Sequence, residues 1–291
     1  MKHILVTGAS GQLGQCLSAM AADSPHNWTF LDRAALDLSQ ISELPASLGA
    51  LISAQETSTA APFTHLIHAA AFTQVDAAET NESLAFAIND TATEIIAKAC
   101  AAHDICLLYM STDFVFSGPR NAPWKTTDSL LPKGVYAASK AAGEAAVAAH
   151  CSRHYIVRTS WLYSPFGHNF VKSMLRLATS HSEVKVVSDQ TGSPTSAMDL
   201  AAALVFLIEN GEIPFGTHHF SNSGTTTWAG FAKEIFKQAG VAAQVLPITS
   251  AQFAAAAPRP AYSVLANSLP LKNRDWTMAL SDVLAHLNQQ K

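Results

Sequence analysis

The sequence predicts an α/β protein: a doubly wound parallel sheet wrapped by helices, with a smaller C-terminal lobe beside it. Short apolar runs alternate with longer helical stretches from Ile4 to Arg158, the order expected of strands joined by right-handed crossovers. Some of these runs are apolar throughout, as strands buried on both faces are. The first ends in a glycine cluster, where a strand turns sharply into a helix. Ligands of such sheets gather at the carboxyl ends of the strands, so the residues closing each run are the candidates for function.

Ile4-Leu5-Val6 reads as the first strand and Leu13 to Ala22 as the first helix, with Leu13, Leu17 and Met20 at helical spacing. Trp28 to Leu31 is a second strand ending at Asp32, and His65 to Ala69 a third that runs into Ala70 and Ala71. Glu82 to Ala102 reads as one long helix whose polar face carries Asp90, Glu94 and Lys98. Ile105 to Met110 is a continuous apolar strand. After a proline- and glycine-rich loop, Ser117 to Gly134, a helix is expected over Tyr136 to Ala149 and a strand over Tyr155 to Arg158. Beyond Trp161 the elements shorten, punctuated by Ser164-Pro165-Phe166-Gly167, Gly192-Ser193-Pro194 and Ala257-Pro258-Arg259-Pro260. Val184 to Val187 and Thr217 to Phe220 are expected to return to the main sheet. The division that follows puts residues 1–161 with about 184–221 in the sheet domain and about 162–183 with 222–291 in the lobe.

Composition excludes several classes of function. The 291 residues carry 18 basic and 22 acidic side chains, net −4, with the cations scattered, which argues against a nucleic-acid binder. The longest strongly apolar run, Leu200 to Ile208, falls well short of the roughly 20 residues that span a bilayer. The apolar stretch near Met1 is too short for a secretion signal. Cys16, Cys100, Cys106 and Cys151 show neither CxxC nor metal-ligand spacing and are expected as reduced packing residues in the cytoplasm. No metal site is expected, and the pairs His65/His68 and His218/His219 read as structural.

Thr7-Gly8-Ala9-Ser10-Gly11-Gln12-Leu13-Gly14 sets three glycines at GxxGxxG spacing between the first strand and the first helix. A tight turn, close approach of main chain to a pyrophosphate and close packing of helix on sheet all require that arrangement. The helix N-terminus then offers free N–H groups to the phosphates. Asp32, about 20 residues on, suits an adenosine ribose, while Arg33 beside it suits a 2′-phosphate. The balance favours NADPH, with NADH possible. Asp37-Leu38 is placed to cap the adenine or to sit at the surface.

Tyr136-Ala137-Ala138-Ser139-Lys140 is YxxxK at a helix start, its two ends on one face. A neighbouring ammonium is expected to pull the phenol below its usual pKa of about 10 and make it a usable acid. Ser111-Thr112-Asp113 closes the strand before it, where a hydroxyl can polarise a substrate carbonyl.

These residues resemble the extended short-chain dehydrogenase/reductases across nearly the whole chain. The resemblance narrows on Gly11-Gln12-Leu13-Gly14, Ala69-Ala70-Ala71-Phe72-Thr73, Ser111-Thr112-Asp113-Phe114-Val115-Phe116, Arg158-Thr159-Ser160-Trp161-Leu162-Tyr163, Asp189-Gln190-Thr191-Gly192-Ser193-Pro194-Thr195 and Arg259-Pro260 with Ser263. In that order they look like the dTDP-4-dehydrorhamnose reductase family. The resemblance implies a Rossmann-type fold and NAD(P)H-dependent reduction of the 4-keto group of a dTDP-linked 6-deoxy sugar, the last step to dTDP-L-rhamnose. It implies a catalytic set of Thr112, Tyr136 and Lys140. Gly8, Gly11, Gln12, Leu13, Asp32, Arg33, Asp37, Leu38, Ala69, Ala70 and Ala71 would hold the cofactor with Tyr136 and Lys140. Thr73, Asp113, Trp161, Asn169 and Arg259 would meet the nucleotide sugar, Arg259 at its diphosphate.

The chain departs from the family in places. Phe114 stands where a tyrosine is usual, and the loop before Tyr136 reads Trp124-Lys125-Thr126-Thr127-Asp128 where an acidic residue with an aromatic is usual. Cys16 and Met198 lie near the positions of glutamates that hold Mg²⁺ at a dimer interface in some members, and neither is a hard oxygen ligand. Homodimerisation is left open. The competing functions are another sugar-nucleotide epimerase or reductase of this fold, and a non-catalytic NADP-binding regulatory subunit.

Overall fold

The computed structural model describes residues 1–57 and 61–289. Its strands and helices run β1 His3–Thr7, α1 Gln12–Ala21, β2 Asn27–Leu31, α2 Leu44–Thr57, β3 His65–His68, α3 Val75–Ala78, α4 Glu82–Phe86, α5 Ala92–Ala102, β4 Cys106–Thr112, α6 Val135–His150 and β5 His154–Thr159. They continue with β6 Leu162–Tyr163, α7 Phe170–Ala178, β7 Glu183–Val187, β8 Thr191–Gly192, β9 Thr195–Ser196, α8 Ala197–Glu209, β10 Gly216–His219, β11 Thr226–Thr227, α9 Trp228–Ala239, β12 Gln244–Ile248, α10 Ser250–Phe253 and α11 Trp276–Gln289.

Six strands form the main sheet in the order β10-β5-β4-β3-β1-β2, all parallel. Alternation along β1 shows why both faces are covered. Ile4 and Val6 pack with Leu13 and Leu17 of α1 and the apolar run of α8. Leu5 points the other way, into a core with Leu44 and Leu48 of α2, Ile96 of α5 and Val147 of α6. The chain leaves β1 toward β2 and returns to the opposite side at β3, so a crevice opens between the β1 and β3 ends, where such sheets bind ligands. The run Leu200–Ile208 lies within the buried helix α8, and no helix among the described residues is long and apolar enough to cross a membrane.

Two expectations are corrected. Val184–Val187 does not join the main sheet: β7 pairs in parallel with β12, and Val184 and Val186 pack on Phe231, Ile235 and Leu280 in a separate core. Its alternating valines need only one buried face, which α9 supplies. Thr217 and His219 do return to the main sheet, in β10 beside β5. The stretch Glu82–Ala102 is helical but interrupted by a π turn, Ala87–Thr91. That turn aims the buried Asn89 amide at Phe72 and at the Ser139 hydroxyl, fixing the loop after β3 against α6.

Candidate active site

A cleft of about 780 Å³ runs along the carboxyl ends of β2, β1, β3, β4 and β5. At one end lie Asp32 and Arg33; the glycine turn follows, then Ala69, Ala70, Ala71 and Thr73. Thr112, Asp113, Tyr136 and Lys140 come next, and Trp161 and Arg259 line the same cleft.

At Gly8 and Gly14 the glycine turn is a cradle that admits no side chain. Gly8 sits at φ +76°, and a Cβ there would lie 2.7 Å from the Ala70 nitrogen; one on Gly14 would lie 2.3 Å from the Gly8 oxygen. Helix α1 has no side-chain cap and no acidic residue in its first turn, so its end faces the cleft with main-chain donors and a positive dipole. A diphosphate fits such a cradle. At the β2 end, the Asp32 carboxylate accepts from the Ala35 nitrogen (2.9 Å), while Arg33 remains largely exposed and touches Asp37 at 3.4 Å. Asp37 Oδ1 accepts from both the nitrogen and the hydroxyl of Ser39, which holds its carboxyl below the usual range. Leu38 is buried along the cleft.

Helix α6 carries Tyr136, Lys140 and Glu144 at four-residue spacing on one stripe. Lys140 is buried, donates to the Met110 carbonyl (2.7 Å) and lies 4.0 Å over the Tyr109 ring. Burial drives its pKa down to about 7, against the pull of Glu144. Glu144 is itself gripped at both oxygens by buried Arg158, at 2.8 and 2.6 Å. The expectation that Lys140 makes the phenol more acidic is corrected here. Burial pushes Tyr136 up to about 12, with the Thr112 hydroxyl acting downward and Asp113 upward, while Lys140 is engaged elsewhere. The phenol is therefore fully protonated at neutral pH.

Thr112 accepts from the Phe114 nitrogen (3.2 Å) and donates to Asp113 Oδ1 (3.1 Å). Burial raises the Asp113 carboxyl to about 6, although the Ser263 and Thr112 hydroxyls oppose it. Phe114 meets the Tyr136 ring edge-on at 5.5 Å, filling the place of the family's tyrosine without its hydroxyl.

The likeness to known proteins follows the same outline. The family model described as "RmlD substrate binding domain" matches residues 1–289. A dTDP-4-dehydrorhamnose reductase of Mycobacterium tuberculosis is 40% identical, over 98% of this chain and 93% of that protein. The chain belongs to the dTDP-4-dehydrorhamnose reductase family. A dTDP-4-dehydrorhamnose reductase from Clostridium acetobutylicum superposes with a TM-score of 0.91 at 34% identity, over 98% of this chain and 99% of that one. The Bacillus anthracis enzyme, solved in complex with NADP, gives 0.90 at 36%, over 98% and 100%.

Within this reductase-family cleft the structure also shows what sequence reasoning missed. Trp161, at φ +48°, stacks 3.7 Å from Trp228, a residue 67 positions later. Gly192 makes room for it, since a Cβ there would lie 2.4 Å from the indole. The Thr159 hydroxyl, opposite Thr112 in register, is buried without a partner among the described residues. Asn169, expected at the sugar, is not on the cleft wall: its oxygen accepts from the Lys172 nitrogen at the start of α7, and its amide donates to the Ser164 and Phe166 carbonyls. An asparagine before a helix serves its own main chain first. Cys16 packs in the core beside Met198, and all four cysteines are buried and free.

Proposed function

We infer that this protein reduces the 4-keto group of dTDP-4-dehydro-L-rhamnose to give dTDP-L-rhamnose with NADPH, with NADH accepted more weakly. The observation that carries this is the meeting, in one cleft, of a main-chain cradle for a diphosphate with the Thr112, Tyr136 and Lys140 side chains. The Bacillus anthracis relative's NADP and the exposed guanidinium of Arg33, held only by a long contact to Asp37, support the choice of coenzyme; Asp32, already bonded to Ala35, is less available to a ribose.

Gly8, Gly11, Gln12, Leu13 and Ala69 to Ala71 would hold the coenzyme's diphosphate region, Asp32, Arg33, Asp37 and Leu38 its adenosine end, and Lys140 the ribose next to the ring. The bound coenzyme supplies the hydride. Thr112 orients the ketone oxygen, and Tyr136, kept protonated by burial, gives its proton to the alkoxide, a stronger base than a phenolate even at a pKa of about 12. Between turnovers Tyr136 regains its proton from solvent. Thr73, Asp113 and Trp161 line the sugar's position, and Arg259 meets the diphosphate. Residues 162–183 and 222–291, with the β7 segment that pairs with β12, act as the substrate lobe. The buried free thiols support a cytoplasmic setting. Incubation with the keto sugar nucleotide tests the reading: NADPH is consumed one for one and dTDP-L-rhamnose is recovered by chromatography. Bound but unconsumed NADPH would leave a regulatory subunit.

A further inference from the structure

One short segment after β3 touches both the lobe and the helix of the proton donor. Asp76 accepts from Arg259 twice, Nη1 to Oδ1 at 3.0 Å and Nη2 to Oδ2 at 2.6 Å, and also from the Ala257 nitrogen at 2.9 Å. Arg259 Nη1 donates in turn to the Ala257 carbonyl at 3.0 Å. Three residues further on, Glu79 Oε1 accepts at 2.8 Å from the nitrogen of Val135, the first residue of α6 and the neighbour of Tyr136. That helix starts after Gly134, which has no side chain to cap it, so Glu79 supplies the cap from outside.

A guanidinium can grip two oxygens end-on through Nη1 and Nη2, or side-on through Nε and Nη2. Asp76 occupies the end-on edge. On the side-on edge Nη2 is shared with Asp76 while Nε has no partner among the described residues, and Arg259 lines the cleft. A half-exposed ion pair adds little to stability, so three bonds converging on Asp76 are better explained by orientation.

We propose that Asp76 and Glu79 are positioning residues, a clasp that presents the side-on edge of Arg259 to the diphosphate of the nucleotide sugar and keeps Tyr136 in register with it. The clasp rests on Arg259 being the diphosphate anchor. Calorimetric titration of dTDP into the NADPH-bound protein, with steady-state kinetics and melting curves beside it, tests both parts. Arg259→Ala weakens dTDP. Asp76→Ala weakens it by about tenfold, as expected for loss of one oriented charge-assisted contact, and raises KM for the sugar nucleotide to match while kcat stays near the parent's. Asp76→Asn, which keeps an accepting oxygen, falls between. Glu79→Ala lowers kcat several-fold with dTDP affinity intact, and Glu79→Gln restores it. Unchanged dTDP affinity in Arg259→Ala overturns the anchor itself. A weakened Arg259→Ala beside an unchanged or tightened Asp76→Ala overturns the clasp alone. Equal loss of NADPH affinity and melting temperature in every variant, or an unaltered kcat in Glu79→Ala, also overturns it.

Discussion

The wall of the cleft at the glycine turn is made of main chain, whereas the wall around Trp161 and Arg259 is made of long side chains held by partners far away in sequence. Gly8, Gly14 and Ala70 touch through backbone atoms and admit no side chain between them. Opposite them, Trp161 depends on Trp228 and on the space at Gly192, and Arg259 depends on Asp76. A main-chain cradle accepts one shape of ligand and tolerates little change. A wall of oriented side chains can be retuned one contact at a time, which suits the part of a reductase that must tell one sugar nucleotide from another.

Four expectations break or sharpen that contrast. Where the walls meet, Tyr136→Phe removes the proton donor and lowers kcat by about a thousandfold, within the usual range for general-acid groups, with NADPH affinity nearly unchanged. A rate that survives would remove Tyr136 from the chemistry. Glu144→Ala leaves buried Arg158 without its partner and costs about 3–5 kcal/mol in denaturant unfolding, far more than an exposed pair. Gly14→Ala drives a methyl into the Gly8 carbonyl and costs about 1–3 kcal/mol, with NADPH binding weakened more than dTDP binding. Equal weakening of the two ligands would contradict the division of the walls. Arg33→Ala, the mildest, raises KM for NADPH several-fold and leaves that for NADH alone.

Acid should loosen the main sheet at two places. His68, bonded to Thr7 and Thr93 under the cofactor wall, and His219, beside Arg158, are both pushed down to about 3, chiefly by burial. An unfolded histidine binds its proton near pH 6.5, so between 6.5 and 3 the unfolded chain holds more protons and stability falls as pH falls. Melting temperatures recorded from pH 7 to 4 should decline, and His219→Gln should flatten the slope.

What the sequence made legible follows the same division. GxxGxxG between a strand and a helix was readable because a tight turn and close helix packing leave almost no other residue possible. YxxxK was readable because a helix brings residues four apart onto one face, yet the electrostatics were not. The surroundings of the Tyr136 ring on the cleft wall, and the Met110 carbonyl that draws Lys140 aside, depend on β4 packing against α6. The same holds for β7, whose valines fit either a main-sheet strand or the lobe's own pair with β12. The π turn around Asn89 is not legible in Glu82–Ala102, because the alanines there pack on either face and blur the apolar stripe. Asn169 is ambiguous in the sequence because a helix cap and a sugar ligand ask for the same amide, and here the amide serves the start of α7.

The most direct measurement follows the hydrogen itself. NADPH carrying deuterium at both C4 positions of its ring is incubated with the wild-type protein and the 4-keto sugar nucleotide, and the product is read by mass spectrometry. Reduction in this cleft leaves one deuterium on sugar C4 of every dTDP-L-rhamnose formed. Product without deuterium, or a coenzyme that keeps both labels while the sugar is changed, would contradict it.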